Sequence, residues 1–181
     1  MRLVCSQVTL ALNRYNGPGV QAVPRLESPT ILITRPTADA ERFLAMLRDE
    51  AGLFEAIISP AFGFEEIPAK KPHFDAAVFT SRAGVSYAPE GKGRVAYCVG
   101  DATAQMAQNA GYVPLSANGT SEELVALILR ERPTGSLLHI RGEKSLGSVT
   151  EKLIERGINC SDVIVYRKVR NAPTVEMVTS V

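Results

Sequence analysis

The sequence predicts an α/β fold built on parallel sheets with helices on both faces. Three observations carry that expectation. Apolar runs of four or five residues recur along the chain, at 31–34, 76–80, 95–99 and 137–141. They are too short for helices and apolar enough for strands covered on both sides. Between them lie stretches whose apolar residues repeat at helical spacing, opened by small, hydroxylated or acidic residues of the kind that cap helices. The two patterns alternate, and alternation favours parallel strands joined by crossover helices.

In chain order, residues 1–29 read as an extension outside the fold. The apolar run 8–12 is too short to span a bilayer, and Ser6 and Gln7 interrupt a signal-peptide pattern. Asn16-Gly17-Pro18-Gly19 reads as turn and linker. A strand over 31–34 turns at Arg35-Pro36-Thr37 into a helix over 38–51, with Phe43, Leu44 and Leu47 as its apolar stripe and Gly52 as its stop. A strand over 56–59 completes one β-α-β unit. Residues 62–68 alternate loosely, as a strand or a crossover between domains, and Lys70-Lys71-Pro72 reads as exposed linker.

A longer series follows. A strand over 76–80 leads through the cap Ser81 to a short helix over 82–87. The strand 95–99 runs straight into the next helix, and this stretch organises the chain. Gly100 is expected to allow a sharp turn without a Cβ clash, and Asp101 to cap the helix. Such a corner aims unpaired N–H groups past the strand's C-terminal end, where a carboxylate or phosphate can sit. Further strands are expected at 111–115, 137–141 and 163–166. A helix capped by Thr120 or Ser121 runs to 132 with Leu124, Leu127 and Ile128 on one face. Another over 147–156 carries Val149, Leu153 and Ile154 and closes at Gly157.

Composition narrows the function classes. The chain has 181 residues, 45% hydrophobic and 22% charged, which are the proportions of an ordinary globular protein. A net charge of +1 argues against a general electrostatic grip on nucleic acid or membrane but allows a local anion site. Cys5, Cys98 and Cys160 are scattered and form no Cys-x-x-Cys pair. That argues against a disulfide framework or zinc site and for a reducing cytoplasm.

Parallel sheets bind ligands beyond the C-terminal ends of their strands. That rule collects Thr34 and Arg35, then Thr80, Ser81 and Arg82, then Gly100 to Thr103, Asn118 to Ser121 with Thr120 among them, Arg141 and Gly142, and Tyr166. They are hydroxyls, small residues and arginines. Among them there is no carboxylate pair, Ser/His/Asp set, metal-ligand spacing, Walker motif or Gly-x-Gly-x-x-Gly. Thr103 either binds a ligand carboxylate or caps its own helix, and Thr80 and Ser81 carry the same ambiguity. The arginines either pair with carboxylates or solvate the surface. Tyr166 is either a functional hydroxyl or a packing aromatic. His73 and His139 read as structural, and Cys98 and Cys160 as small apolar fillers. Two non-catalytic readings suit the same corners, a bilobed anion-binding module and a flavin- or nucleotide-binding module. Neither a convincing export signal nor an aromatic pair to sandwich a flavin is present, and tryptophan is absent.

The succession Leu32-Ile33-Thr34-Arg35-Pro36, Phe79-Thr80-Ser81, Val99-Gly100-Asp101-Ala102-Thr103-Ala104, Gly119 to Leu124, Arg141-Gly142 and Val165-Tyr166-Arg167 resembles the uroporphyrinogen-III synthase family. No single piece is specific; their order and spacing over residues 31–169 are. The resemblance implies two flavodoxin-like α/β lobes joined by two strand-like linkers. The first lobe would begin with residues 30–61, the second would be continuous over 62–169, and 170–181 would lead back toward the first. By this analogy the return segment is missing and the first lobe incomplete.

The resemblance also implies an activity, a lyase that closes linear hydroxymethylbilane into uroporphyrinogen III in haem biosynthesis. Ring D is inverted and water lost, without metal or organic cofactor. It implies a monomeric cytoplasmic enzyme with a small polycarboxylate substrate and no nucleic-acid or membrane partner. Tyr166 is then the proton donor to the leaving hydroxyl. Thr34, Arg35, Thr80, Ser81, Arg82, Gly100, Thr103, Thr120, Ser121, Arg141 and Gly142 are expected to bind substrate.

Overall fold

A computed structural model of the chain describes residues 30–51, 54–144 and 147–172. The N-terminal stretch 1–29, the stop at Gly52 and most of 170–181 lie outside the described residues. Among the described residues there are two sheets. The smaller pairs β1 (Thr30–Ile33) with β2 (Glu55–Ile58) in parallel through the crossover helix α1 (Thr37–Ala51). Phe43, Leu44 and Leu47 are half-buried as expected, and Ile33 and Ala40 are fully covered. Asp39 in the first turn of α1 and Arg48 in its last turn complement the helix dipole.

The larger sheet has six strands in the order β3-β8-β7-β4-β5-β6. These are β3 (Phe62–Glu66), β4 (Ala76–Phe79), β5 (Val95–Cys98), β6 (Val113–Ser116), β7 (Leu137–Gly142) and β8 (Cys160–Arg170). All pair in parallel except β3, which lies antiparallel on β8. The loosely alternating segment 62–68 therefore holds a strand over its first five residues, Phe62–Glu66. Its neighbour β8 is longer than the expected 163–166 because its two halves serve different partners, β7 first and β3 afterwards.

Strand alternation divides the core into two layers. Ala77 and Phe79 of β4, Ala96 and Cys98 of β5, and Leu138 and Ile140 of β7 face one side. They meet Val85 of α2 (Arg82–Ser86) and Ala107 of α3 (Asp101–Asn109). Ala76, Val78, Tyr97 and Leu137 point the other way. There they meet Leu124, Val125, Leu127 and Ile128 of α4 (Ser121–Glu131) and Val149 and Leu153 of α5 (Val149–Glu155). Both faces of the sheet are thus covered, which is why these strands read as continuous apolar runs.

Several boundaries differ from expectation for identifiable reasons. Gly100 is itself the N-cap of α3, in extended backbone at φ −162°, and an added Cβ would meet nothing within 4 Å. No glycine is required there, and Asp101 is the first helical residue rather than the cap. Strand β6 begins at Val113 because Gly111, at φ +83°, belongs to the preceding turn. Ile154 is 55% exposed, so the core face of α5 is narrower than its apolar content suggests.

Candidate functional site: a cleft at the switch point of the large sheet

From β4 the chain moves outward through β5 and β6, then crosses to the opposite side of β4 to form β7 and β8. The connections after β4 and β7 diverge, and the crevice between them is where such sheets hold ligands. A cleft of about 540 Å³ opens there. It is lined by Thr80 and Ser81 after β4, Val99 after β5, and Thr120, Ser121 and Glu122 at the start of α4. Arg141, Gly142 and Lys144 at the end of β7, Gly147, and Tyr166 of β8 complete it.

Tyr166 is held from three directions. Its ring stacks on Tyr87, with centroids 5.7 Å apart, and meets Phe64 edge-on at 5.1 Å. Its hydroxyl lies 2.9 Å from Ser81 Oγ. Ser81 is the N-cap of α2, and its Oγ accepts a hydrogen bond from the Gly84 N–H at 3.1 Å. One serine therefore orients the helix and the tyrosine together. Gly84 makes this possible, because a Cβ there would come within 2.5 Å of the Ile140 carbonyl oxygen.

On the opposite wall, Thr120 forms a capping box. Its hydroxyl accepts from the Glu123 N–H, while the Glu123 carboxylate accepts from the Thr120 N–H. Glu122 and Glu123 already place negative charge on the first turn of α4. An incoming anion therefore gains more from the hydroxyls of Thr120 and Ser121 than from the helix dipole.

The cations of the cleft differ in availability. Arg141 Nε donates to Asp162 Oδ2 at 2.6 Å, and a second guanidinium nitrogen pairs with the same carboxylate. Its third nitrogen donates to the Gly142 carbonyl at 3.1 Å. Lys144 is exposed and makes no ion pair among the described residues. Behind Thr80, His139 is 1% exposed and bonded through both ring nitrogens, to Thr80 and to Thr150. Burial, aided by the Arg141 charge, lowers its pKa to about 4, so the ring is neutral at pH 7. Burial pushes the thiols of Cys98 and Cys160 up to about 12 and about 11, in keeping with small apolar fillers.

Seven of the sequence-selected residues meet in this cleft: Thr80, Ser81, Thr120, Ser121, Arg141, Gly142 and Tyr166. Five do not line it. Thr34 and Arg35 follow β1 of the small sheet, where Arg35 lies over the Phe43 ring at 4.2 Å. Arg82 turns toward α1 and pairs with Asp39 at 2.7 Å. Gly100 caps α3. Thr103 is buried within the first turn of α3, and its hydroxyl makes no hydrogen bond to a described residue. Sequence reasoning missed Lys144, because Glu143-Lys144 reads as an ordinary solvated loop. The available signal was its position just beyond a strand end already selected for Arg141 and Gly142.

Among the described residues no helix is long and apolar enough to cross a membrane, and no group of three or more His, Cys, Asp or Glu side chains is placed to hold a metal ion. No curated protein matches the sequence. Solved structures similar to this chain include uroporphyrinogen-III synthetase from Helicobacter pylori, at 19% identity and a TM-score of 0.48, with 74% of this chain and 64% of that one covered. A mutant uroporphyrinogen III synthase from Thermus thermophilus matches at 19% identity and TM-score 0.48, covering 80% and 64%. Its wild-type form matches at 22% and 0.42, covering 80% and 63%. The chain thus spans less than two thirds of each. Residues 41–180 match the profile of the family described as uroporphyrinogen-III synthase HemD. With that match extending over most of its length, the chain belongs to the uroporphyrinogen-III synthase family.

Proposed function

We propose that this chain carries the uroporphyrinogen-III synthase reaction in the cleft at the β4–β7 switch point. Linear hydroxymethylbilane closes there to uroporphyrinogen III with inversion of ring D and release of water. The observation that carries this reading is the Tyr166 hydroxyl. It is fixed by Ser81 at the rim of a cleft furnished with hydroxyls and cations, in a chain of this family.

The chemistry asks little of the protein beyond folding the substrate and assisting one departure. The terminal hydroxyl leaves as water, taking the proton of Tyr166, and the pyrrole nitrogen supplies the electron pair that makes an azafulvene. Ring D attacks this electrophile at its substituted carbon. The spiro intermediate fragments and recloses, and the proton lost on rearomatisation restores the tyrosine. The pyrroles provide the nucleophile, so the rate gain comes from orientation and from acid assistance. Thr80, Thr120, Ser121 and Lys144 are the groups best placed to receive the substrate's carboxylates. Arg141, already matched by Asp162, shapes the wall more than it adds charge.

We read the two sheets as parts of two lobes, residues 30–61 and 62–169, with the substrate taken up beside the larger. The cytoplasm is the compartment that suits the two described cysteines, both free and buried. The test is the isomer ratio. Spontaneous closure of hydroxymethylbilane gives the type I isomer, so a type III product in excess, formed in proportion to protein, is the expected result. Type I alone would overturn the assignment.

A further inference from the structure

Thr80 reaches the cleft with a buried relay behind it. Its Oγ1 lies 3.2 Å from Nε2 of His139, and Nδ1 of the same ring lies 3.1 Å from Oγ1 of Thr150. His139 is 1% exposed on β7 and Thr150 is 6% exposed on α5, so water cannot replace either partner freely. The neutral ring has one N–H donor and one acceptor nitrogen. One threonine must therefore donate to the imidazole and the other must accept from it.

The surroundings of Thr150 decide which. Among the described residues, its hydroxyl proton has two acceptors within reach, the imidazole nitrogen and the Cys160 sulfur. Sulfur is the weaker acceptor, and the Cys160 thiol donates its own proton to the Ser161 carbonyl. The Thr150 proton therefore goes to Nδ1, and the ring proton resides on Nε2. Thr80 Oγ1 accepts that proton, which leaves the Thr80 O–H free to point into the cleft. With the opposite tautomer, Thr80 would spend its proton on the ring and present only lone pairs, which repel anions.

We propose that His139, held as the Nε2–H tautomer by Thr150, is a positioning residue that aims the Thr80 hydroxyl proton at an anionic group of the ligand. The identity of that group as a substrate carboxylate rests on the function proposed above; the tautomer and its cause do not. Arg141, Asp162 and Glu151 are the charged groups that act on the ring, and their effects partly oppose one another.

The test combines a spectrum with kinetics on the full chain. A long-range ¹H–¹⁵N spectrum of the labelled protein should show the His139 proton on Nε2. Thr150→Val keeps the volume and removes the donor, so the proton should redistribute toward Nδ1. In the same variant, KM for hydroxymethylbilane should rise about fivefold, the scale of one oriented hydrogen bond, with kcat within twofold. Thr150→Ser restores the donor and should return both readouts to their original values. A proton on Nδ1 in the parent protein would overturn the proposal. So would a shifted tautomer with unchanged KM. A parent protein that shows the Nε2 proton and forms only type I isomer would remove the proposed reaction while supporting the relay.

Discussion

Gly142 and Tyr166 face each other across the parallel pair of β7 and β8, so closely that a Cβ on residue 142 would stand 2.6 Å from the tyrosine ring. The missing side chain is what lets the ring lie against the strand and reach Ser81. Gly142→Ala forces the ring aside at a cost of about 1–3 kcal/mol. Thermal melts should show that modest loss, while type III formation should fall further than stability because the hydroxyl leaves its position. Wild-type turnover in a folded Gly142→Ala protein would separate ring placement from function.

Tyr166→Phe removes one hydroxyl and keeps the ring's contacts with Tyr87 and Phe64. Stability should change little. If the hydroxyl protonates the departing group, the rate of type III formation should drop by about 10²–10⁴-fold. Ser81→Ala should lose less rate but more stability, about 1 kcal/mol, because it also uncaps α2. Equal behaviour of the two variants in kinetics and melts would refute this division of roles.

Thr120→Ala breaks the capping box of α4 and should cost about 1 kcal/mol. Thr120→Asp restores the cap but places a carboxylate at the cleft. It should therefore recover the melting temperature while raising KM for hydroxymethylbilane. Recovery of both quantities would show that the hydroxyl of Thr120 serves only the helix.

The buried His139 couples stability to pH. Its folded pKa of about 4 lies below the usual value of 6.5, so between those values the unfolded chain takes up a proton that the folded chain refuses. The contribution is complete above pH 6.5 and is lost as pH falls toward 4, reaching about 3 kcal/mol. Urea denaturation from pH 7 to pH 4.5 should show the decline, and His139→Gln should flatten it. Parallel profiles for the two proteins would contradict the assignment.

Arg82 and Asp39 join α2 to α1 and so connect elements of the two sheets. Both side chains are about one third exposed, and Asp39 also pairs with Arg42. A double-mutant cycle with Arg82→Met and Asp39→Asn should give a coupling of about 0.5 kcal/mol that shrinks at high salt. A coupling that persists in molar salt would mark the contact as a hydrogen bond first and an ion pair second.

The strands β4, β5 and β7 were legible because double-sided burial leaves short apolar runs, and α4 because Thr120 and Glu123 announce its start. Strand β8 was only half visible. Its residues 167–170 are three basic side chains around Val169, since they pair with an edge strand near solvent. The cleft was legible as a set of strand ends but not as a grouping, because the set depends on which strands are neighbours. Nothing local in the sequence places β7 beside β4, and that adjacency gathers Thr80, Ser81, Arg141 and Gly142 while leaving Thr34 and Arg35 elsewhere. Gly100 lies outside the cleft lining for a different reason. A glycine at a corner suggests a constrained backbone, yet this one is extended and surrounded by open space.

The stacking of Tyr87 on Tyr166 gives the protein an optical label of its own. With no tryptophan and five tyrosines in the sequence, phenol rings dominate near-ultraviolet absorption and emission. Two of them lie face to face, 5.7 Å apart, beside the cleft. Their coupled transitions should contribute a circular-dichroism signal that vanishes when either ring moves. A ligand that displaces the Tyr166 ring should therefore be visible in solution without a dye, a fused reporter or a label.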